Sequence, residues 1–184
     1  KDRNFPILID EEGTTVSRLI DIFNHDFDAR LFGNLYQINQ KIALALYKNY
    51  LKSLCKNLRK IGININTIPV LDIVRKYTNK VIGRRSFSKN KEIVKKLGEI
   101  TISNLHSQKV ASVIKHIPGH GCSSTDSHLS MPKVNLSIKM LDLIDFYPFK
   151  FSKSKLAMTA HILYSKIDSQ NVSTFSKKII KNII

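Results

Sequence analysis

Short apolar runs alternate with longer amphipathic segments along most of this 184-residue chain. The apolar runs cover residues 5–10, 63–70, 110–114 and 156–160, and their length is typical of buried parallel strands. Apolar residues at helical spacing predict helices over 38–61, 90–106 and 137–149, and from 174 to the end of the chain. The four-residue spacing in the first of these predicts one shared helix face for Ile42, Leu46, Tyr50, Leu54 and Leu58. Strands that alternate with helices predict an α/β fold with a parallel sheet and helical crossovers.

Polar residues follow the ends of the predicted strands. They are Asp10, Asp72, Lys115, His116 and His161. The (β/α)₈ barrel and the doubly wound open sheet both build their sites at this edge of the sheet, and spacing alone does not separate the two folds. The chain has no Gly-x-Gly-x-x-Gly and no phosphate-loop motif, which weighs against a nucleotide-binding open sheet.

The net charge of +16 raises the question of a nucleic-acid partner. Of the 30 basic residues 23 are scattered lysines, whereas arginine is favoured for base readout and phosphate clamping, so we expect no nucleic acid. No apolar run approaches the roughly 20 residues of a membrane span, so we expect no membrane segment. The two cysteines, Cys55 and Cys122, fit a reducing compartment better than a disulfide framework.

The densest group of chemically active residues lies between positions 115 and 128. It begins with Lys115 and His116, continues through glycines and prolines that predict a loop, and ends with Asp126 and His128. The carboxylate of Asp126 could accept a hydrogen bond from the His128 imidazole, which would make His128 a general acid/base. An ordinary solvated loop is the alternative for that pair taken alone. Because Lys115 neighbours His116 and no ligand cluster is complete, we expect no metal.

Five segments of the chain resemble, in order, the motifs of the bacterial β-N-acetylhexosaminidases of glycoside hydrolase family 3. They are Ile9-Asp10-Glu11-Glu12-Gly13 with Val16 and Arg18, Pro69-Val70-Leu71-Asp72, Ile82-Gly83-Arg84-Arg85-Ser86-Phe87, residues 115–121 with Asp126-Ser127-His128 and Pro132, and Met158-Thr159-Ala160-His161 with Tyr164 and Asp168. One departure is Thr14, which stands where the family has a second glycine.

The resemblance implies a (β/α)₈ TIM-type barrel that is incomplete at both ends in this chain, with residues 1–184 as one partial catalytic barrel domain. It implies an exo-acting, retaining glycoside hydrolase that removes terminal β-linked N-acetylglucosamine from peptidoglycan fragments during cell-wall recycling. We therefore expect a cytoplasmic monomer that acts on a glycan containing N-acetylglucosamine, with no cofactor and no membrane partner.

The resemblance also implies which residues bind the sugar. Asp10, Arg85, Lys115 and His116 match motif positions that would bind the non-reducing N-acetylglucosamine. Arg18 would support that site from nearby.

The same resemblance implies the catalytic roles. His128, oriented by Asp126, would protonate the leaving oxygen and then activate water, in place of the carboxylic acid of the two-carboxylate scheme. His161 would line the site. The nucleophile would be an aspartate in a strand that follows residue 184, and neither Asp145 nor Asp168 has the sequence context of such a strand.

Two alternatives remain open from the sequence. A β-N-acetylglucosaminide phosphorylase on the same fold would use phosphate in place of water, since a histidine acid/base does not repel an incoming phosphate. A degenerate, non-catalytic barrel that binds an anionic polymer would fit the net charge of +16.

Overall fold

Four parallel strands form the central sheet of the computed structural model, which describes residues 5–23, 27–125 and 130–184. The strand order is β1-β2-β3-β5, and a second, two-stranded parallel sheet pairs β4 with β6. The elements are β1 (Leu8–Ile9), α1 (Ala29–Ile38), α2 (Gln40–Lys60), β2 (Ile65–Asn66), a 3₁₀ turn (Gly83–Arg85), α3 (Lys91–Ser107), β3 (Ala111–Ile117), β4 (Lys133–Val134), α4 (Ile138–Leu143), α5 (Tyr147–Lys150), β5 (Leu156–Thr159), β6 (Leu163–Tyr164) and α6 (Lys177–Asn182).

Helices connect each strand of the central sheet to the next. Helices α1 and α2 lie between β1 and β2, α3 lies between β2 and β3, and α4 and α5 lie between β3 and β5. All neighbouring strands in this sheet are parallel, which confirms the predicted α/β fold with helical crossovers. Because parallel strands point the same way, their carboxyl ends meet at one edge, where the polar residues of the sequence converge.

Helix α2 shows where simple spacing fails to identify the buried face. Its buried residues are Ala43, Tyr47, Leu51, Leu54, Cys55 and Leu58. The prediction that Ile42 and Leu46 share this face is wrong, because their residues are 55% and 49% exposed. Each step of four residues turns about 40° beyond a full circle, so a stripe taken at strict four-residue spacing drifts away from the core.

The sequence analysis missed helix α1. The helix begins after Asp28, whose side chain accepts a hydrogen bond from the Leu31 N–H at 2.9 Å. Phe32 and Gly33 are its buried residues. A Cβ on Gly33 would lie 1.8 Å from the carbonyl oxygen of Phe87, so this close helix packing requires glycine.

Two predicted elements are shorter than expected. The strand predicted over 63–70 is shortened to β2. Beyond β2, Val70 forms a single isolated β-bridge with Lys115. The helix predicted over 137–149 is divided into α4 and α5, with Ile144 as the C-cap of α4. Pro148 lies in the first turn of α5, the part of a helix that tolerates its missing N–H, so one continuous helix is excluded there.

The outer strands of the described sheet expose apolar residues. Phe5 and Leu8, predicted to be buried, are 65% and 54% exposed, because β1 has a neighbour on only one side in the described part. At the other edge, Leu156 and Met158 of β5 are also exposed. Within the described ranges, no helix is both long enough and apolar enough to cross a membrane.

Candidate active site

Lys115 lies at the centre of a charged cluster at the carboxyl ends of the strands. Its ammonium contacts the carboxylate of Asp10, which follows β1, and donates to Thr67 Oγ1, which follows β2, at 2.8 Å. Its Nζ also lies 2.5 Å from Glu12 Oε1, and the side chain is only 1% exposed. A buried ammonium is tolerated only when it is paired, so these partners fix both the charge and the position of Lys115.

Three consecutive carboxylates after β1 point in alternating directions. Asp10 and Glu12, two residues apart, both face Lys115. Glu11 faces away from it, and its Oε2 accepts the backbone N–H of Arg18 at 2.8 Å. Asp10 and Glu12 therefore belong to the site, whereas Glu11 holds the following loop through the backbone of Arg18.

Arg85 reaches the cluster from the end of the 3₁₀ turn. Its Nε and Nη2 donate to the two oxygens of Glu12 at 2.7 and 2.8 Å, a bidentate pair. Its Nη2 also lies 3.4 Å from His116 Nε2. Burial acts to lower the pKa of Arg85, but the hydrogen bonds and charge of Glu12 outweigh it and hold that pKa above its ordinary value.

Asp72 fixes the orientation of His116. Its Oδ2 lies 2.7 Å from His116 Nδ1, and its Oδ1 accepts the backbone N–H of His120 at 2.6 Å. The Asp72 side chain is fully buried. Burial acts to raise the pKa of Asp72, but His116 and His120 outweigh it and hold that pKa below its ordinary value. The ionised Asp72 thus directs the Nε2 atom of His116 toward Arg85.

One side of the cluster reaches solvent. Asp10 is 34% exposed at its side chain, and its Oδ1 is held by Lys115 and Thr67. The described residues provide no hydrogen bond to its Oδ2. Burial acts to raise the pKa of Asp10, but the hydrogen bonds from Lys115 and Thr67 outweigh it, so the pKa is lowered and the group is ionised. An ionised acceptor beside several N–H donors can bind a neutral ligand rich in hydroxyl groups.

The structure brings together four of the predicted site residues: Asp10, Arg85, Lys115 and His116. Arg18 is exposed, and its backbone N–H donates a hydrogen bond to Glu11, which neighbours Asp10.

His161 lies outside this cluster. It is exposed, and its Nδ1 lies 2.7 Å from Thr174 Oγ1. Asp126 and His128, the predicted acid/base pair, lie outside the described residues.

Sequence reasoning missed two members of the cluster, Glu12 and Asp72. Glu12 stands within the first motif, and its two-residue spacing from Asp10 was the available signal for a shared direction. For Asp72, the available signal was a polar side chain at the end of a predicted strand. Glu12 holds the guanidinium of Arg85 in place, and Asp72 holds the imidazole ring of His116.

The glycine-rich segment after β3 is held in place by specific contacts. The Tyr164 hydroxyl donates to the carbonyl oxygen of Gly119 at 2.5 Å, and the Thr78 hydroxyl donates to that of Gly121. A Cβ on Gly121 would lie 1.8 Å from the carbonyl oxygen of Ile73, so this approach excludes any side chain. The segment that carries the predicted signature is therefore packed closely against the loop that follows β2.

The other downstream carboxylates have structural contacts. Burial raises the pKa of Asp145 to about 6, although its ion pair with Arg75 acts in the opposite direction. Asp168 accepts the Ser176 hydroxyl at 2.7 Å and the Gln170 N–H at 3.0 Å, and these bonds lower its pKa to about 2. Among the described residues, no group of three or more His, Cys, Asp or Glu side chains could hold a metal ion.

Curated relatives resemble most of the chain. Residues 23–184 match the family described as the glycosyl hydrolase family 3 N terminal domain. Beta-hexosaminidase A of Pseudoalteromonas piscicida is 33% identical over 172 residues, which cover 90% of this chain and 28% of that protein. The beta-hexosaminidase of Chromobacterium violaceum is 32% identical over 181 residues, which cover 97% of this chain and 50% of that protein. The chain therefore spans half or less of these relatives.

Solved structures share the fold of the chain. NagZ from Neisseria gonorrhoeae, in complex with N-trifluoroacetyl-D-glucosamine, has a TM-score of 0.88 and 30% identity, over 96% of this chain and 53% of its own. A family 3 β-N-acetylglucosaminidase from a Paenibacillus species has a TM-score of 0.87 and 30% identity, over 96% of this chain and 33% of its own. These matches confirm the predicted TIM-type barrel, of which the chain forms a part. By sequence and by fold, the chain belongs to glycoside hydrolase family 3.

Proposed function

We propose that the intact gene product is a β-N-acetylhexosaminidase that releases terminal β-linked N-acetylglucosamine. The observation that carries this proposal is the cluster of Asp10, Arg85, Lys115 and His116 at the carboxyl ends of parallel strands, where barrel enzymes build their sites. The names of the relatives support the same reaction class, since they are beta-hexosaminidases and a β-N-acetylglucosaminidase.

Each side chain in the cluster has a distinct task in this proposal. The Oδ2 of Asp10 and the Nε2 of His116 accept hydroxyl groups of the sugar, and Arg85 donates to its oxygens. Lys115 holds Asp10 in place and lends positive charge to the site. Charge-assisted hydrogen bonds of this kind are roughly twice as strong as neutral ones, which suits the binding of an uncharged sugar.

The chemical step rests on residues outside the described ranges. In the proposal, His128 donates a proton to the leaving oxygen and then removes one from water, with Asp126 holding its ring. An aspartate that follows residue 184 in the intact protein attacks the anomeric carbon, and the resulting glycosyl-enzyme is hydrolysed with retention. In the proposal, His161 and Arg18 act from outside the cluster of Asp10, Arg85, Lys115 and His116.

The setting of the reaction is also part of the proposal. A monomeric, cytoplasmic enzyme would take muropeptide fragments of peptidoglycan during cell-wall recycling. NagZ from Neisseria gonorrhoeae, which resembles this chain, was solved with N-trifluoroacetyl-D-glucosamine, and this supports an N-acylated glucosamine as the sugar bound by Asp10 and its neighbours.

The proposal is tested by the release of a chromophore from an aryl N-acetyl-β-glucosaminide by the intact gene product. Release in water alone supports the hydrolase. Release that depends on added phosphate and yields sugar 1-phosphate would support the phosphorylase instead. If neither occurs, steeply salt-dependent binding to an anionic polymer would support the degenerate barrel.

Replacing His128 by alanine should lower kcat by about 10²- to 10⁴-fold, the usual contribution of a general acid/base. A substrate with a very acidic phenol as leaving group should lose less, since its departure needs no proton. The matched control is His106→Ala, because His106 is an exposed residue in the last turn of α3. Full activity of the His128 variant would exclude its assigned role.

A further inference from the structure

We infer that Glu12 is a positioning residue, which sets the places of Arg85 and Lys115 for sugar binding without contacting the sugar itself. The inference rests on the proposed function and deepens it. Two carboxylates in the same cluster differ in their exposure to solvent. The side chain of Asp10 is 34% exposed, whereas that of Glu12 is only 5% exposed.

The contacts of Glu12 are directed into the protein. Its Oε2 accepts Arg85 Nε at 2.7 Å. Its Oε1 accepts Arg85 Nη2 at 2.8 Å and lies 2.5 Å from Lys115 Nζ. Both oxygens are thus engaged by cations, and little of the group is left for a ligand. Asp10, in contrast, keeps an oxygen with no hydrogen bond from the described residues. The inference therefore assigns sugar binding to Asp10 and positioning to Glu12.

Electrostatics explains why this positioning matters. Arg85 and Lys115 carry like charges and approach the same oxygen of Glu12. Without the negative charge of Glu12, the two cations would repel each other in a partly buried site, where screening by water is weak. Arg85 would also lose both donors of its bidentate pair. Its guanidinium, which lies 3.4 Å from His116 Nε2, would no longer be held beside that ring.

The chain offers two close controls. Glu11 is adjacent to Glu12 but faces away from Lys115, and it accepts backbone N–H groups of the following loop. Arg84 is adjacent to Arg85, but its side chain is 73% exposed and pairs with Asp28. The substitutions Glu11→Gln and Arg84→Lys therefore make the same chemical changes at positions that are adjacent in sequence but outside the cluster.

The experiment is a double-mutant cycle in the intact gene product with Glu12→Gln, Arg85→Lys and the double variant. The measured quantities are the Kd of free N-acetylglucosamine by calorimetry, and KM and kcat for the aryl glycoside. We expect each single variant to raise Kd and KM by about tenfold or more, because a charge-assisted hydrogen bond is lost, with a smaller change in kcat. The double variant should bind more tightly than the product of the two single effects on Kd predicts, since part of the effect of Glu12 is exerted through Arg85.

The controls separate positioning from general stabilisation. Glu11→Gln should lower the melting temperature and leave the Kd of the sugar unchanged, and Arg84→Lys should change neither. Purely additive effects of the Glu12 and Arg85 variants on Kd would overturn the inference, as would an equal weakening of binding by Glu11→Gln. A wild-type protein that neither binds nor releases the sugar would instead overturn the proposed function, and the inference with it.

Discussion

Replacement of Lys115 by methionine in the intact gene product is expected to lower the urea concentration at which the protein unfolds and to abolish sugar binding. Methionine keeps an apolar chain of similar length but removes the ammonium. Asp10 then loses its cation, and Glu12 keeps only Arg85. Removal of one partner from a buried ion pair costs about 3–5 kcal/mol, because the remaining charge is left uncompensated. A urea curve for the free energy of unfolding and calorimetry with N-acetylglucosamine measure the two effects.

The control for this variant is Lys150→Met. Lys150 pairs with Asp142, but both side chains are 46% exposed. Exposed ion pairs contribute about 0–1 kcal/mol, so this control should unfold at nearly the wild-type urea concentration and keep its sugar affinity. Equal unfolding midpoints for the two variants would show that the buried position of Lys115 does not determine its contribution.

Replacement of Gly121 by alanine is the second change with a large expected effect. The added Cβ would lie 1.8 Å from the carbonyl oxygen of Ile73, a backbone atom that cannot turn aside as a side chain can. The glycine-rich segment must therefore move away from the loop after β2 and disturb the bond from Thr78 to Gly121. Overpacking of this kind costs about 1–3 kcal/mol, and more where backbone must shift. Thermal unfolding of the variant, with kcat/KM for the aryl glycoside, checks the prediction.

Gly98→Ala is the matched control for Gly121→Ala. Its added Cβ would also meet a close neighbour, but that atom is the Cδ2 end of the flexible Leu71 side chain, at 2.4 Å. Gly98 lies inside α3, where alanine is favoured over glycine by about 1 kcal/mol. We expect a small net change in melting temperature for Gly98→Ala. A loss of stability as large as that of Gly121→Ala would contradict the argument that a rigid backbone neighbour decides the cost.

The sequence by itself determined the fold class and much of the candidate site. Apolar runs and helical spacing recur along the chain, and they suffice to predict parallel strands with crossovers. Parallel strands bring their carboxyl ends to one edge, so Asp10, Lys115 and His116 could be grouped from their places at the ends of predicted strands, although β3 extends through Lys115 and His116 to Ile117. Arg85 follows no strand and was grouped with them only through the family motifs.

Tertiary structure alone decided how these side chains are paired. Glu12 and Arg85 lie 73 residues apart, and Asp10 and Lys115 lie 105 residues apart. Local periodicity carries no information about contacts at such separation, because they depend on the register of strands and the packing of loops between them. The same limit explains the missed helix α1, whose Gly33 packs against Phe87 far along the chain. The misplaced face of α2 has a local cause instead, because a stripe at strict four-residue spacing drifts around the helix. The residue types of the site could thus be found from sequence, whereas the different roles of Asp10 and Glu12 could be inferred only from their positions in space.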